Sequence, residues 1–305
     1  MSQIICQTTG LCKSYKNFQA LQNVNLSIPC GEIYGLVGEN GAGKSTLMRI
    51  LTGLAYPSAG KVALFGKTDK LSKERAKIGC TVETPALYKD MTARQNLEIQ
   101  RVQRGIPGKT CIQRALELVG LFDAPNKKVR DFSLGMKQRL ALAIALLGGP
   151  EFLILDEPVN GLDPTGIIEL RRLLKKLAGK NHVTILISSH ILGELNQLAT
   201  CYGFLHHGKL LKQVSARELS EECRRYIRLK TDDAKKAAAV LEERFQIKNF
   251  SVFPDGHIRI FEKLEEARSI SKELCARRIA VEEMSVQGEN LESYFEKLIG
   301  GGRHV

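Results

Sequence analysis

Three short segments carry residue types that could together cut a phosphoanhydride bond. The run Gly38-Glu39-Asn40-Gly41-Ala42-Gly43-Lys44-Ser45, followed by Thr46, fits the spacing G-x-x-x-x-G-K-[ST]. Glycines so spaced let backbone N–H groups curl around an anion, and the start of a following helix adds its positive end. Lys44 would meet the β- and γ-phosphates of a nucleotide, and the Ser45 hydroxyl would enter the shell of a Mg2+ ion. At Asp156-Glu157, one carboxylate can hold that shell while the next polarises the attacking water. Phosphoryl transfer asks a protein mainly for positioning and charge stabilisation, so this division is sufficient. His190 could donate a hydrogen bond to the γ-phosphate and so register its presence. Taken singly, the three have plain alternatives: a glycine-rich turn, an acidic strand cap and a surface histidine.

What argues against those alternatives is position. Residues 33–37 (IYGLV), 152–155 (FLIL) and 183–187 (VTILI) are apolar almost throughout, as strands covered on both faces are. Each is followed at once by polar residues, GENGAGKST, DEP and SSH. In open α/β sheets the ligand lies beyond the carboxyl ends of the strands, so these three ends define one site. The first two hundred residues alternate β-branched runs with amphipathic stretches, the pattern of an α/β domain on a largely parallel sheet.

At 305 residues and 43% hydrophobic, the chain can bury one large core or two ordinary ones. Its longest apolar run, residues 140–155, is cut by Gly148, Gly149 and Pro150 and carries Glu151. That falls short of the roughly 20 residues of a membrane span. The first thirteen residues lack the basic and apolar regions of a secretory signal, so a cytoplasmic location is expected. The eight cysteines form no C-x-x-C pair and read as free thiols used as small hydrophobes. The net charge of +12 lies entirely before Ser215, because residues 215–305 balance 17 basic against 17 acidic side chains. A basic first part suits a polyanionic ligand, nucleic acid, an anionic membrane surface, or simply a solvated face.

Ser215-Ala216-Arg217-Glu218 has the form of a capping box, and the domain boundary is placed there, giving residues 1–214 and 215–305. The second part reads as a strand (226–230), a helix (232–245), a hairpin turning at Asp255-Gly256, a helix (264–277), a strand (279–286) and a last helix (290–299). That β-α-β-β-α-β order is that of a small α+β ferredoxin-like domain. Nothing in it carries evident chemistry, and His257 and His304 are expected to be solvated. It would serve dimerisation or packing, or sense a ligand.

The segments resemble the nucleotide-binding subunit of ATP-binding cassette (ABC) transporters, over residues 4–214. Tyr15 in LCKSYKNFQAL sits where that family stacks an aromatic ring on adenine. Residues 78–85 (IGCTVETP) occupy the Q-loop, and Ser133-Leu134-Gly135-Met136 the signature. Asp156-Glu157-Pro158 ends Walker B, Asn160 to Asp163 match the D-loop, and His190 the switch histidine. The resemblance implies a P-loop NTPase (ABC ATPase) domain with a helical signature subdomain, using ATP and Mg2+. Glu157 and His190 would be catalytic, and Ser45, Glu83 and Asp156 would face the metal. Ser133, Gly135 and Met136 would contact the ATP of a second nucleotide-binding domain, because two copies close head to tail. A separate membrane permease, gripped near residues 83–100, would hold the chain at the cytoplasmic face of the membrane.

Two motifs depart from the family pattern, the Q-loop and the signature, whose usual Leu-Ser-Gly-Gly-Gln reads Phe132-Ser133-Leu134-Gly135-Met136 here. Glutamate replaces the Q-loop glutamine at position 83, adding negative charge beside the metal and, unless protonated, removing a hydrogen-bond donor. Met136 replaces the signature glutamine and loses its polar reach, although Ser133, Gly135 and the helix start remain. These departures, with ETPALY and SLGMKQRL, resemble the subfamily that serves bacitracin-type and lantibiotic self-protection exporters. Export of peptide antibiotics or other drugs and lipophilic compounds is implied. The rival is a soluble ABC ATPase acting on nucleic acid or ribosomes. A single cassette, with Ser133 only 89 positions after Lys44, leaves no room for a long coiled coil. The chain also shows no aromatic-basic interleaving of an RNA-binding kind, so no nucleic-acid partner is expected. An importer subunit is the third reading.

Overall fold

The computed structural model describes residues 3–82, 87–122, 127–288 and 291–300. In it, the apolar runs lie side by side. The central sheet has the spatial order Lys209–Ser215, Cys201–His206, Ile33–Val37, Thr184–Ser189, Phe152–Leu155, Ile78–Thr81. Only the pair of Lys209–Ser215 with Cys201–His206 is antiparallel; the other pairings are parallel. Every residue of Ile33–Val37, Phe152–Leu155 and Thr184–Ser189 is buried, as strands with both faces covered must be. The register pairs Val37 with Ser189 and Leu155 with Ile187. Gly38 and His190 therefore leave the sheet from one rung, while Asp156 leaves one residue beyond the rung Leu155–Ile187.

A second sheet is antiparallel throughout. Ile4–Tyr15 pairs with Phe18–Val24, Ser27–Pro29 and Ala59–Leu64. The expectation of a largely parallel sheet does not extend to these strands. Only Lys16 and Asn17 separate the first two, and parallel neighbours need a crossover of roughly a dozen residues or more. Lys16 adopts a left-handed φ of 47°, which a two-residue hairpin demands. Leu11, Leu21 and Ile28 of this sheet share one core with Tyr34 and Leu36 of the central sheet and with Leu47, Met48, Ile50 and Leu51 of the helix Lys44–Thr52. That helix is thus held in place along its buried face.

Three helices, Ala93–Gln103, Thr110–Leu118 and Leu134–Leu146, pack on one another. The first opens with a complete capping box between Thr92 and Gln95, and the third is capped by Ser133. The third lies on the edge strand Ile78–Thr81 so closely that a Cβ at Gly79 would overlap the Ala145 carbonyl. Among the described residues, no helix is long and apolar enough to cross a membrane. All eight cysteines are free; burial pushes the Cys6 and Cys201 thiols up to about 12, so both stay protonated and inert.

The chain separates into two units, Met1–Ala216 and Arg217–Val305. In the second, the strand order is Phe250–Val252, His257–Ile260, Tyr226–Thr231, Val281–Gln287, antiparallel at every pairing. This is the split β-α-β arrangement of a ferredoxin-like sheet. Ile227, Leu229, Ile258 and Ile260 form its core with residues of the helices Ala234–Phe245 and Ala267–Ala276. The expected helix over 264–277 is a 3-10 turn, Leu264–Glu266, followed by the α-helix Ala267–Ala276. His257 corrects the expectation of a solvated ring. The turn before it folds Phe253 back, so the two rings stack at 4.4 Å. Its Nδ1 lies 2.5 Å from Asp255 Oδ1, and the residue is buried. His304 lies outside the described residues.

Gly79→Ala is expected to lower the stability of the first unit by about 1–3 kcal/mol, the usual cost of overpacking. Urea denaturation followed by circular dichroism would measure it.

Candidate active site

The glycine-rich loop turns from the strand Ile33–Val37 into the helix Lys44–Thr52 by a route that side chains would block. A Cβ at Gly38 would overlap the Leu205 carbonyl, and Gly43, at φ +107°, would drive one to 2.6 Å from the Ala20 carbonyl. Glycine is therefore required at both positions for steric reasons. The Gly208 N–H donates to the Ala42 carbonyl at 2.9 Å, tying the loop to the end of the strand Cys201–His206. Glu39 and Asn40 are exposed at the loop's crest, with the Glu39 carboxylate 3.6 Å from His206 Nδ1.

The Lys44 side chain is 95% buried. Its ammonium donates to the carbonyls of Gly38 at 2.6 Å and Glu39 at 3.1 Å, and lies 3.5 Å from Glu157 Oε1. A buried cation needs such partners, because leaving it unpaired costs several kcal/mol.

Asp156 and Glu157 follow the strand Phe152–Leu155 and are organised by Ser188, the penultimate residue of the neighbouring strand. The buried Ser188 hydroxyl donates to Asp156 Oδ1 at 2.6 Å and accepts from the Glu157 N–H at 2.9 Å. Glu157 has a left-handed φ of 45°, costly for a residue with a Cβ and met chiefly at functional sites. Its Oε2 accepts from Asn160 Nδ2 at 2.5 Å and lies 2.7 Å from His190 Nδ1. Burial pushes the Glu157 carboxyl up, but the Asn160 hydrogen bond, the Lys44 charge and His190 more than offset it and hold it below the usual range. It is an ionised carboxylate near neutral pH.

Lys44, Asp156, Glu157 and His190 are thus brought together, and Ser45, Asp156 and Glu157 line one cavity of about 670 Å³. Leu134 and Gln138 of the helix Leu134–Leu146 also line it. Ser133 caps that helix by accepting from the Met136 N–H at 3.2 Å. Gly135 and Met136 form its first turn. Tyr15 stands at the hairpin tip, 41% exposed, with the Lys13 ammonium 4.7 Å from its ring centre. The strand after that tip carries Ala20 and Leu21, which abut Gly43. Glu83 lies outside the described residues.

Sequence reasoning missed Ser188, whose signal was a hydroxyl directly before Ser189-His190 at a strand end. It placed Asn160 in a loop match without giving it a partner.

A phosphate loop feeding a helix, with an acidic pair and a histidine at the ends of adjacent parallel strands, defines a nucleotide-hydrolysing P-loop domain. The chain belongs to the ABC transporter family and is an ATPase of that family. The family's model, described as ABC transporter, matches residues 21–160. The chain is 42% identical to the bacitracin transport ATP-binding protein BcrA of Enterococcus faecalis, over 98% of each chain. It is 43% identical to BcrA of Bacillus licheniformis, over 99% of each. With the lantibiotic transport ATP-binding protein SrtF of Streptococcus pyogenes it shares 44% identity over 70% of this chain and 93% of that one. Among solved structures, it is similar to a dimeric ATP-binding cassette in a post-hydrolysis state bound to ADP and Pi, with TM-score 0.64 and 27% identity over 70% of this chain and 99% of that one. It is also similar to cbiO1 from Clostridium perfringens, part of an ABC transporter complex, with TM-score 0.66 and 26% identity over 80% and 97%.

Ser188→Ala leaves the Glu157 N–H and one Asp156 oxygen without their buried partner. It is expected to cost about 1–3 kcal/mol of stability, measured by denaturant titration, and to slow ATP turnover.

Proposed function

We propose that this chain powers a separate membrane permease that exports peptide antibiotics of the bacitracin type. The observation that carries this reading is the 42–43% identity to two bacitracin transport ATP-binding proteins over 98–99% of the chain. That likeness runs through the second unit, whereas the likeness to the lantibiotic protein covers 70% of the chain. These relatives are transport ATP-binding proteins, which favours a membrane partner over nucleic acid. The chain would then sit peripherally at the cytoplasmic face of the membrane, bound to the permease through residues near 83–100.

The site residues take the following roles in this reading. The backbone of residues 38–46 cradles the phosphates, and Tyr15 offers its exposed ring to adenine. Lys44 exchanges its loop carbonyls and Glu157 for phosphate oxygens. Ser133, Gly135 and Met136 serve the nucleotide held by a second copy, since each chain carries one copy of each motif. The donor set suits Mg2+: a half-buried hydroxyl at Ser45 and a carboxylate at Asp156 whose second oxygen is not taken by Ser188 are hard oxygen ligands of the kind that ion takes beside phosphates. Glu83 is its third proposed neighbour. When bound, Mg2+ neutralises charge on the β- and γ-phosphates. Glu157 accepts a proton from water as the water oxygen bonds to the γ-phosphorus and the bond from that phosphorus to the β–γ bridging oxygen breaks. His190, now beside Glu157, turns its second ring nitrogen to the γ-phosphate.

Glu157→Gln is expected to lower ATP turnover at least about 100-fold and to accumulate an ATP-bound dimer on gel filtration; turnover equal to the parent's would remove the base assignment. Hydrolysis by the purified chain should rise when its permease, in lipid, and bacitracin are added together. Activity indifferent to both but responsive to RNA would transfer the reading to a soluble ATPase. Chelation by EDTA should abolish turnover, and added Mg2+ should restore it.

A further inference from the structure

The proposed base is held from a direction that its role in hydrolysis does not require. Its two oxygens differ in their partners among the described residues: Oε2 is engaged by Asn160 Nδ2 and His190 Nδ1, while Oε1 faces the Lys44 ammonium at 3.5 Å. The Asn160 N–H closes a turn onto the Glu157 carbonyl at 3.2 Å, which sets its side chain beside the carboxylate. The same turn is fastened to the signature helix twice. Gln138 Nε2 donates to the Asn160 carbonyl, and the Leu134 side chain lies where a Cβ of Gly161 would be.

We propose that Asn160 is a positioning residue for hydrolysis: its amide pins Oε2 of Glu157, so that Oε1 is the oxygen that takes the proton from water, and its carbonyl couples that alignment to the signature helix through Gln138. When Lys44 turns to phosphate, Oε1 loses this partner and is exposed to water, while Oε2 stays fixed. A carboxylate held by one oxygen presents the other in a defined direction, and misplacement of a reacting group by about 1 Å can cost on the order of 100-fold in rate. Because Gln138 holds the turn through Asn160, a shift of the signature helix on meeting a second copy would be felt at Oε1. This inference rests on Glu157 being the base.

The test is a set of double-mutant cycles on the full chain with its permease. Turnover is read together with the affinity for a fluorescent ATP analogue and the melting temperature. Asn160→Ala and Asn160→Asp, the second nearly isosteric but without the donor, are expected to lower kcat about 10- to 100-fold with little change in nucleotide affinity or melting temperature. Neither should lower the residual rate of Glu157→Gln further. Gln138→Leu should lower kcat in the parent and have no further effect in Asn160→Ala. Parent-like turnover in Asn160→Asp, or an equal loss in the Glu157 and Glu157→Gln backgrounds, would overturn the proposal while leaving the base in place. A Glu157→Gln chain as fast as the parent would remove the base and the proposal together.

Discussion

The burial of one positive charge sets the conditions for everything else in the first unit. The Lys44 ammonium has little access to water, so the protein must supply oxygens on several sides. Two come from the backbone of Gly38 and Glu39 and one from Glu157. The Gly38 carbonyl can turn inward because the loop lies against Leu205 without a Cβ between them. Glu157 is within reach because its strand is separated from Ile33–Val37 by a single strand. The core shared by both sheets then keeps the Lys44 helix where that charge balances. Nucleotide phosphates offer the same kind of oxygen with more negative charge.

The acidic pair shows how little side-chain chemistry is needed once the backbone is in place. Ser188 contacts the two positions with different atoms: its proton goes to Asp156, and its lone pair receives the Glu157 N–H. The first bond engages one Asp156 oxygen and not the other. The second supports a left-handed glutamate that would otherwise lack a reason for its conformation. Adjacent carboxylates therefore meet different partners, Asp156 the Ser188 hydroxyl and Glu157 the Lys44 and His190 side chains.

Much of this was legible in the amino-acid order, because buried parallel strands announce themselves as apolar runs and their polar ends must cluster. Lys44, Asp156, Glu157 and His190 were found by that logic. Ser188 was not, since a serine at the end of an apolar strand looks like any strand terminus until its neighbour's carboxylate is placed beside it. Asn160 was hidden for a related reason: its partner is a side chain three residues away, and only a left-handed Glu157 brings the two together. The antiparallel sheet was missed because residues 4–15 mix buried and exposed positions with register shifts, which blurs the alternation that would mark a strand. In the second unit, the order of elements followed from periodicity. The burial of His257 depends on how a four-residue turn folds Phe253 back, which periodicity does not encode.

The register between Phe152–Leu155 and Thr184–Ser189 has a consequence for how the protein is made. Slippage by one residue would present Ile187 or Ser189 to Asp156 in place of Ser188, and would turn every side chain of the strand to the opposite face of the sheet. The phosphate site discriminates strongly, because only one register assembles it. Nucleotide that binds the native sheet and not its slipped forms stabilises the former by mass action. Bound nucleotide would then favour the register that assembles its own site, a folding ligand as well as a fuel.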